Sequence, residues 1–278
     1  MTEVLISGSF DNLRSRQVRF LEEAARLGDV HALLWSDKLV RDLEGRDPMF
    51  PQEERLYFAS AVRYVSQVTL VDSLPGPDAL PAVPAADGGS YRAWAVDQAG
   101  DNPARRAFCQ SAGLDYMVIP DEQLSSFPPY DLEALQQAAR DGRKKVLVTG
   151  CYDWLHSGHV RFFEEVSQLG DLYVVVGNDA NVRHLKGEGH PLFSQDERRY
   201  MVRSIRYVKE ALITSGWGWM DAEPEILWLK PDIYAVNEDG DKPEKRAFSA
   251  EHGLEYVVLK RLPKEGLPRR ESTKLRGF

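Results

Sequence analysis

The chain has 278 residues, 43% hydrophobic and 10% aromatic, with 35 Lys and Arg against 43 Asp and Glu, a formal net charge of −8. That length suits one large domain or two modest ones, and the apolar content excludes a disordered chain. The acidic balance argues against a dedicated nucleic-acid binder, the two cysteines (Cys109 and Cys151) against a disulfide framework, and the lack of any apolar run near 18 residues against a membrane span.

In chain order, EVLISG (3–8) predicts a buried strand ending in a glycine turn, and an amphipathic helix follows. ALLW (32–35) predicts a second strand, QEERLYFASAV (52–62) a helix, and QVTLV (67–71) a third strand. The Pro/Ala/Gly-rich stretch 74–89 reads as a surface loop. Residues 121–143 read as a linker with a short helix, DLEALQQAARDG, stopped by Gly142. The rhythm then begins again with KKVLVTG (144–150) and a helix in which Phe162, Val166 and Leu169 fall at helical spacing. LYVVVG (172–177), a helix near 195–205 and EALIT (210–214) complete the second round. The start, MTEVLISGSF, lacks the pattern of a signal peptide, so a soluble cytoplasmic protein is expected.

The two rounds are copies. GSFDNLRSRQVRFLEEAARLGD (8–29) aligns with GCYDWLHSGHVRFFEEVSQLGD (150–171) at a shift of 142, with roughly half the positions identical. PMFPQEER aligns with PLFSQDER, WAVDQAGDNPARRAF (94–108) with YAVNEDGDKPEKRAF (234–248), and GLDYMVIP with GLEYVVLK. Alternating strands and helices imply α/β architecture: two tandem Rossmann-like domains, each a parallel sheet flanked by helices, at 1–120 and 144–278. Ligands of such sheets bind beyond the carboxyl ends of the strands.

The segment VLVTGCYDWLHSGH (146–159) carries the strongest chemical signal. A strand, a glycine turn and a helix start bring unpaired backbone N–H groups and the positive end of a helix dipole to one place, which attracts phosphate. His156 and His159 lie on one side of the first helical turn, and Gly158 between them lets phosphate press against the backbone. A histidine pair can also hold a metal, but no third ligand stands nearby; it can equally cap a helix or pack in a core.

TGCYDWLHSGH (149–159) resembles the GxFDxxHxGH motif of the HxGH (HIGH-type) nucleotidylyltransferases, in their cytidylyltransferase-like branch. LKGEGHPLFSQDER (185–198) is similar to that family's lysine loop and downstream arginine, PDIYAVNEDGD (231–241) and RESTKLR (270–276) to its later segments. The resemblance covers most of 144–278 and, more weakly, 1–120. It implies transfer of a nucleotidyl group from a nucleoside triphosphate, CTP rather than ATP, to a phosphorylated small alcohol or amine, with Mg²⁺ held through the phosphates and not by the protein. It further implies that Thr149, Gly150, Cys151, Tyr152, Asp153, Gly158, Asp179 and Asn237 bind the nucleotide. His156, His159, Lys186 and Arg198 would handle the phosphates, and Ser272 and Thr273 would donate to phosphate from a last helix. Where the family carries a terminal Arg-Thr run, this chain has LPKEGLPRRESTKLR, so Lys264, Arg269 and Arg270 are candidates for that charge; Asn237 stands where the family has glycine.

In the first copy Arg14, Ser15, Arg16 and Gln17 replace the HxGH run, and Glu44 stands where Lys186 does. Asp11, Asp37 and Arg55 survive, though such residues also stabilise loops. The first copy is expected to be catalytically silent. The tandem resembles that of the ethanolamine-phosphate cytidylyltransferases, an intramolecular pair of domains, with homodimerisation left open. The same chemistry with ATP, as in the heptose-type adenylyltransferases, and a non-catalytic nucleotide-binding regulator are the alternatives.

Overall fold

Continuous apolar runs become the central strands. In the computed structural model, which describes residues 2–82, 92–128 and 143–275, the chain divides into two compact units, Met1–Phe127 and Pro128–Phe278. In the first unit, β1 (Glu3–Gly8), β2 (Asp29–Trp35), β3 (Gln67–Val71), β4 (Arg92–Asp97) and β5 (Asp115–Ile119) form one parallel sheet in the order β3-β2-β1-β4-β5. Helices α1 (Ser15–Ala25), α2 (Asp37–Glu44), α3 (Gln52–Ala61), α4 (Pro103–Ala112) and α5 (Asp121–Leu124) join or flank the strands.

The second unit repeats the plan. Strands β6 (Lys145–Gly150), β7 (Asp171–Val176), β8 (Val208–Ile213), β9 (Ile233–Asn237) and β10 (Glu255–Leu259) are parallel in the order β8-β7-β6-β9-β10. Its helices are α6 (Ser157–Val166), α7 (Asp179–Lys186), α8 (Gln195–Arg203), α9 (Glu223–Leu229), α10 (Pro243–Glu251) and α11 (Ser272–Leu275). The middle strands are buried on both faces, as uninterrupted apolar runs require: Val146–Val148 and Val174–Val176 are wholly inaccessible. Leu147, Tyr173, Val175 and Tyr234 pack with Ile226 and Leu229 of α9 on one side of the sheet. In both units the chain reverses its winding between the first and fourth strands of the sheet, β1/β4 and β6/β9, which opens a crevice at their carboxyl ends.

Three expectations are corrected. The linker does not begin at 121: Asp121 pairs with Arg16 at 2.6 Å, the Gln123 carbonyl accepts from Arg19 at 2.8 Å, and Leu124 is buried, so α5 belongs to the first unit. Leu169 lies past the end of α6 and is exposed; Val160 and Phe163 supply that helix's buried face with Phe162 and Val166. The 74–89 loop is anchored, because Leu80 is buried in the first unit's core. Its residues 83–89, and the expected helix at 131–142, lie outside the described residues. Among those described, no helix is long and apolar enough to cross a membrane.

Candidate active site

The site grows from the end of β6. A side chain at Gly150 would place its Cβ 2.8 Å from the Tyr152 ring, so glycine there lets Tyr152 fold back beneath the loop. Tyr152 itself takes a left-handed backbone (φ 51°) and is buried, edge-on to His159 at 5.2 Å and against Phe163 at 5.3 Å. Burial pushes its hydroxyl pKa far up, so it is a neutral floor.

His156 is the N-cap of α6: its Nδ1 accepts from the Gly158 N–H at 3.1 Å. An accepting Nδ1 leaves the ring proton of the neutral imidazole on Nε2, which is buried and without a partner among the described residues. The His159 ring stacks on it, centroids 4.0 Å apart and planes 25° off parallel, and the His159 Nδ1 is likewise unpaired. A Cβ at position 158 would lie 2.9 Å from the His156 ring, so Gly158 makes room for the cap. Burial, then the Arg261 and Arg270 cations, pull the His156 pKa down to about 3. Burial, His156, Arg261 and Lys186 hold His159 well below its usual value. Both rings are therefore neutral near pH 7, with unmet hydrogen-bonding capacity beside a helix N-terminus.

Two buried struts hold this loop. Asp153 accepts from the Leu192 and Phe193 N–H groups at 2.6 and 3.2 Å and from His190 Nδ1 at 3.3 Å, tying the 190–193 loop to the motif. Arg198, 1% exposed, donates to the carbonyls of Phe193 (2.9 Å), Cys151 (2.6 Å) and Gly177 (2.7 Å) and to Asp179 (2.8 Å). The expected phosphate contact of Arg198 is thereby replaced by a structural one, because its guanidinium is saturated by protein oxygens. Asp179 is likewise the counter-ion of Arg198 and lies outside the cavity lining. The first unit repeats both struts: Asp11 takes the Met49 and Phe50 N–H groups, and Arg55 meets the carbonyls of Phe50, Ser9 and Trp35 and the Asp37 carboxylate.

A cavity of about 230 Å³ opens at the carboxyl ends of β6 and β9. It gathers Thr149, Gly150, Cys151, Tyr152 and Asp153 with His156, Gly158 and His159. Lys186 reaches it from the end of α7, Asn237 from β9 and Ser272 from α11. Lys186 has no ion pair among the described residues. The Ser272 hydroxyl donates to the Trp154 carbonyl at 3.1 Å, so the phosphate it was expected to meet is replaced by a backbone oxygen. The Thr273 side chain lies outside the described part of the structure. Lys264 pairs with Glu164 at 2.8 Å and Arg269 faces Glu271 at 3.8 Å, so neither lines the cavity; Arg270 stays outside the lining too, although its charge bears on His156.

Four titratable lining residues escape the sequence argument: His190, Asp239, Lys245 and Arg261. Arg261, from beyond β10, pairs with Asp239 and also donates to the Arg270 carbonyl. The signal available for His190 and Asp239 was a polar side chain in each of the two loops that the repeat aligns. Among the tryptophans, Trp154 is buried against Phe193, whereas Trp217 and Trp219 are 59% and 69% exposed. Their loop is pinned by Asn178 and Asn181, which bond Gly216 and Gly218.

In the first unit a cavity of about 180 Å³ occupies the same crevice, without histidine. Arg16, at the position of Gly158, reaches across to Asp121, and Glu44 pairs with Arg46 at 2.6 Å.

Residues 147–263 match a family model described as cytidylyltransferase-like. The chain is 34% identical over 125 residues to an FAD synthase of Ferroglobus placidus, covering 44% of this chain and 78% of that one. The chain belongs to the cytidylyltransferase-like nucleotidyltransferases. An FAD synthase of Archaeoglobus profundus is 34% identical over 134 residues, 47% of this chain and 83% of the relative. The bifunctional protein HldE of Campylobacter concisus is 41% identical over 111 residues, 39% of this chain; the match spans 23% of that relative's length.

Proposed function

We propose that the second unit joins the nucleotidyl group of a nucleoside triphosphate to the phosphate of a small molecule and releases pyrophosphate. The observation that carries this reading is the stacked His156–His159 pair, with unpaired buried ring nitrogens, at the N-terminus of α6 in the switch-point cavity. An acceptor phosphate oxygen attacks the α-phosphorus, the bond from that phosphorus to the bridging oxygen of the β-phosphate breaks, and pyrophosphate leaves with the electron pair. Such in-line transfer asks the protein mainly for position and positive potential. The Nε2–H of His156 and the ring of His159 hydrogen-bond phosphate oxygens, the α6 N-terminus adds its dipole, and Lys186 neutralises charge on the leaving pyrophosphate.

Among the described residues no cluster of three or more His, Cys, Asp or Glu offers a metal site. The Asp153 carboxylate is engaged by the 190–193 loop and Asp239 by Arg261, so the cavity does not fit a resident cation. Mg²⁺ enters this proposal only as part of the substrate, on the triphosphate.

CTP is the donor that the motif resemblance favours. ATP is the second reading: FAD, which the FAD synthase relatives are named for making, carries an adenylyl half. The first unit is proposed to be silent, its histidine positions held by Arg14 and Gln17. The test is pyrophosphate release with each of four nucleoside triphosphates against a panel of phosphorylated alcohols, amines and sugars. Release that requires both one nucleotide and one acceptor supports the proposal. Tight nucleotide binding without release from any pair would replace it with a regulatory nucleotide-binding role.

A further inference from the structure

The proposed mechanism leaves two cations of the cavity unused, Arg261, which is paired with Asp239, and Lys245. Lys245, on the first turn of α10, is half-buried and lines the cavity, and its ammonium makes neither a hydrogen bond nor an ion pair among the described residues. Its ammonium lies over the Tyr234 ring at 5.6 Å, and Tyr234 in turn bonds Thr149 through its hydroxyl at 3.1 Å. A cation over an aromatic face keeps some of its hydration loss compensated but still has N–H donors to place. Burial pulls its pKa below the usual lysine value, with the Asp221, Asp239 and Asp241 charges opposing that and Lys242 adding to it.

The first unit shows the same position filled. Its counterpart is Arg105, over Trp94 at 5.5 Å, the ring that aligns with Tyr234. There the guanidinium is bound by Asp78 at 3.0 Å and by the Gly100 carbonyl at 2.8 Å. The unit without the histidine pair has its cation closed off by protein; the unit with the pair leaves the cation open to the cavity.

Lys245 enters the cavity from α10 over the Tyr234 ring of β9, beside Asn237 and Gly240 at the carboxyl end of that strand, whereas the histidines stand at the N-terminus of α6. A triphosphate seated at α6 leaves that end to its nucleoside.

We infer that Lys245 is the nucleoside anchor of this site, donating from its ammonium to an acceptor atom of the nucleobase. This inference rests on the nucleotidyl-transfer reading and assigns Lys245 to specificity rather than to chemistry. Titration calorimetry of the full chain separates the two ends of the site, with CTP and ATP as whole ligands and inorganic tripolyphosphate as the phosphate end alone. In Lys245→Met the nucleotide that wild type binds should bind about ten- to a hundred-fold more weakly, the range of one lost charge-assisted hydrogen bond, while tripolyphosphate affinity is kept. Lys245→Arg should recover part of the loss. In turnover, the KM for that nucleotide should rise with kcat little changed, the signature of lost uniform binding. Circular dichroism of Lys245→Met and Lys245→Gln confirms that a native chain is compared. Equal weakening of nucleotide and tripolyphosphate, or weakening of neither, would overturn the role of Lys245 and leave the transfer reading intact. A wild-type chain that binds neither nucleotide nor tripolyphosphate would overturn the transfer reading as well.

Discussion

Replacing Arg198 by methionine separates a structural arginine from a phosphate-binding one. Arg198 is 1% exposed, and its guanidinium satisfies three carbonyls, of Cys151, Gly177 and Phe193, together with the Asp179 carboxylate. Methionine fills much of the volume but donates nothing, so three largely buried acceptors and a carboxylate lose their donor at once. Each such loss costs about 1–3 kcal/mol, the terms are not additive, and breaking a buried ion pair costs about 3–5 kcal/mol in total. A loss of about 3–5 kcal/mol moves a urea midpoint down by more than about 1 M, and tryptophan fluorescence reads it through Trp154, buried beside Phe193. Arg55→Met should produce a comparable loss in the first unit, read through Trp35, whose carbonyl Arg55 holds. A midpoint unchanged in Arg198→Met, with nucleotide binding weakened, would refute the strut and restore the phosphate contact expected from the motif.

Further outcomes follow from the same geometry. His159→Ala should lower kcat by about a hundred- to a thousand-fold, the scale of one lost preorganised donor, with the urea midpoint little changed. Gly158→Ala, whose Cβ would lie 2.9 Å from the His156 ring, should displace that imidazole and reduce nucleotide affinity by calorimetry while the far-ultraviolet circular dichroism stays native. Stability should fall in acid for a defined reason. Unfolded, His156 and His159 take up protons as the pH drops through about 6.5; folded, His156 stays neutral to about pH 3 and His159 is held well below its usual value. In that window the unfolded chain binds more protons, so each pH unit costs up to about 1.4 kcal/mol per histidine. Urea titrations at pH 7, 6 and 5 should show the slope, and His156→Asn, which keeps a capping side chain, should reduce it.

Much of the architecture was legible because its signals are local. The apolar runs around VLV (146–148) and VVV (174–176) are strands buried on both faces, and Gly150 and Gly177 just beyond them mark the turns. The convergence of the histidine pair and Lys186 on one cavity was legible because each follows directly on a strand of the repeated plan, whereas the Asp153 carboxylate, read as a nucleotide contact, is taken up by the 190–193 loop. Arg198 was misread because an arginine behind a loop looks the same in sequence whether it meets phosphate or three carbonyls from 151, 177 and 193. The repeat held the clue: Arg55 stands in a copy without the histidine pair and meets the matching set of protein oxygens. Lys245 and Arg261 were invisible for the opposite reason, since strand order alone brings β9 and the segment after β10 to the end of β6. Ser272 showed the limit of reading a hydroxyl from its type, because a nearby carbonyl, that of Trp154, accepts its hydrogen bond.

The central claim is transfer at the α-phosphorus, and the fate of isotope in the nucleotide tests it most directly. With phosphorus label at the α position, wild type should place the label in the phosphorylated acceptor's product, and label at the γ position should appear in pyrophosphate. His159→Ala should slow both. Label from the γ position in the acceptor, with nucleoside diphosphate released, would contradict the account.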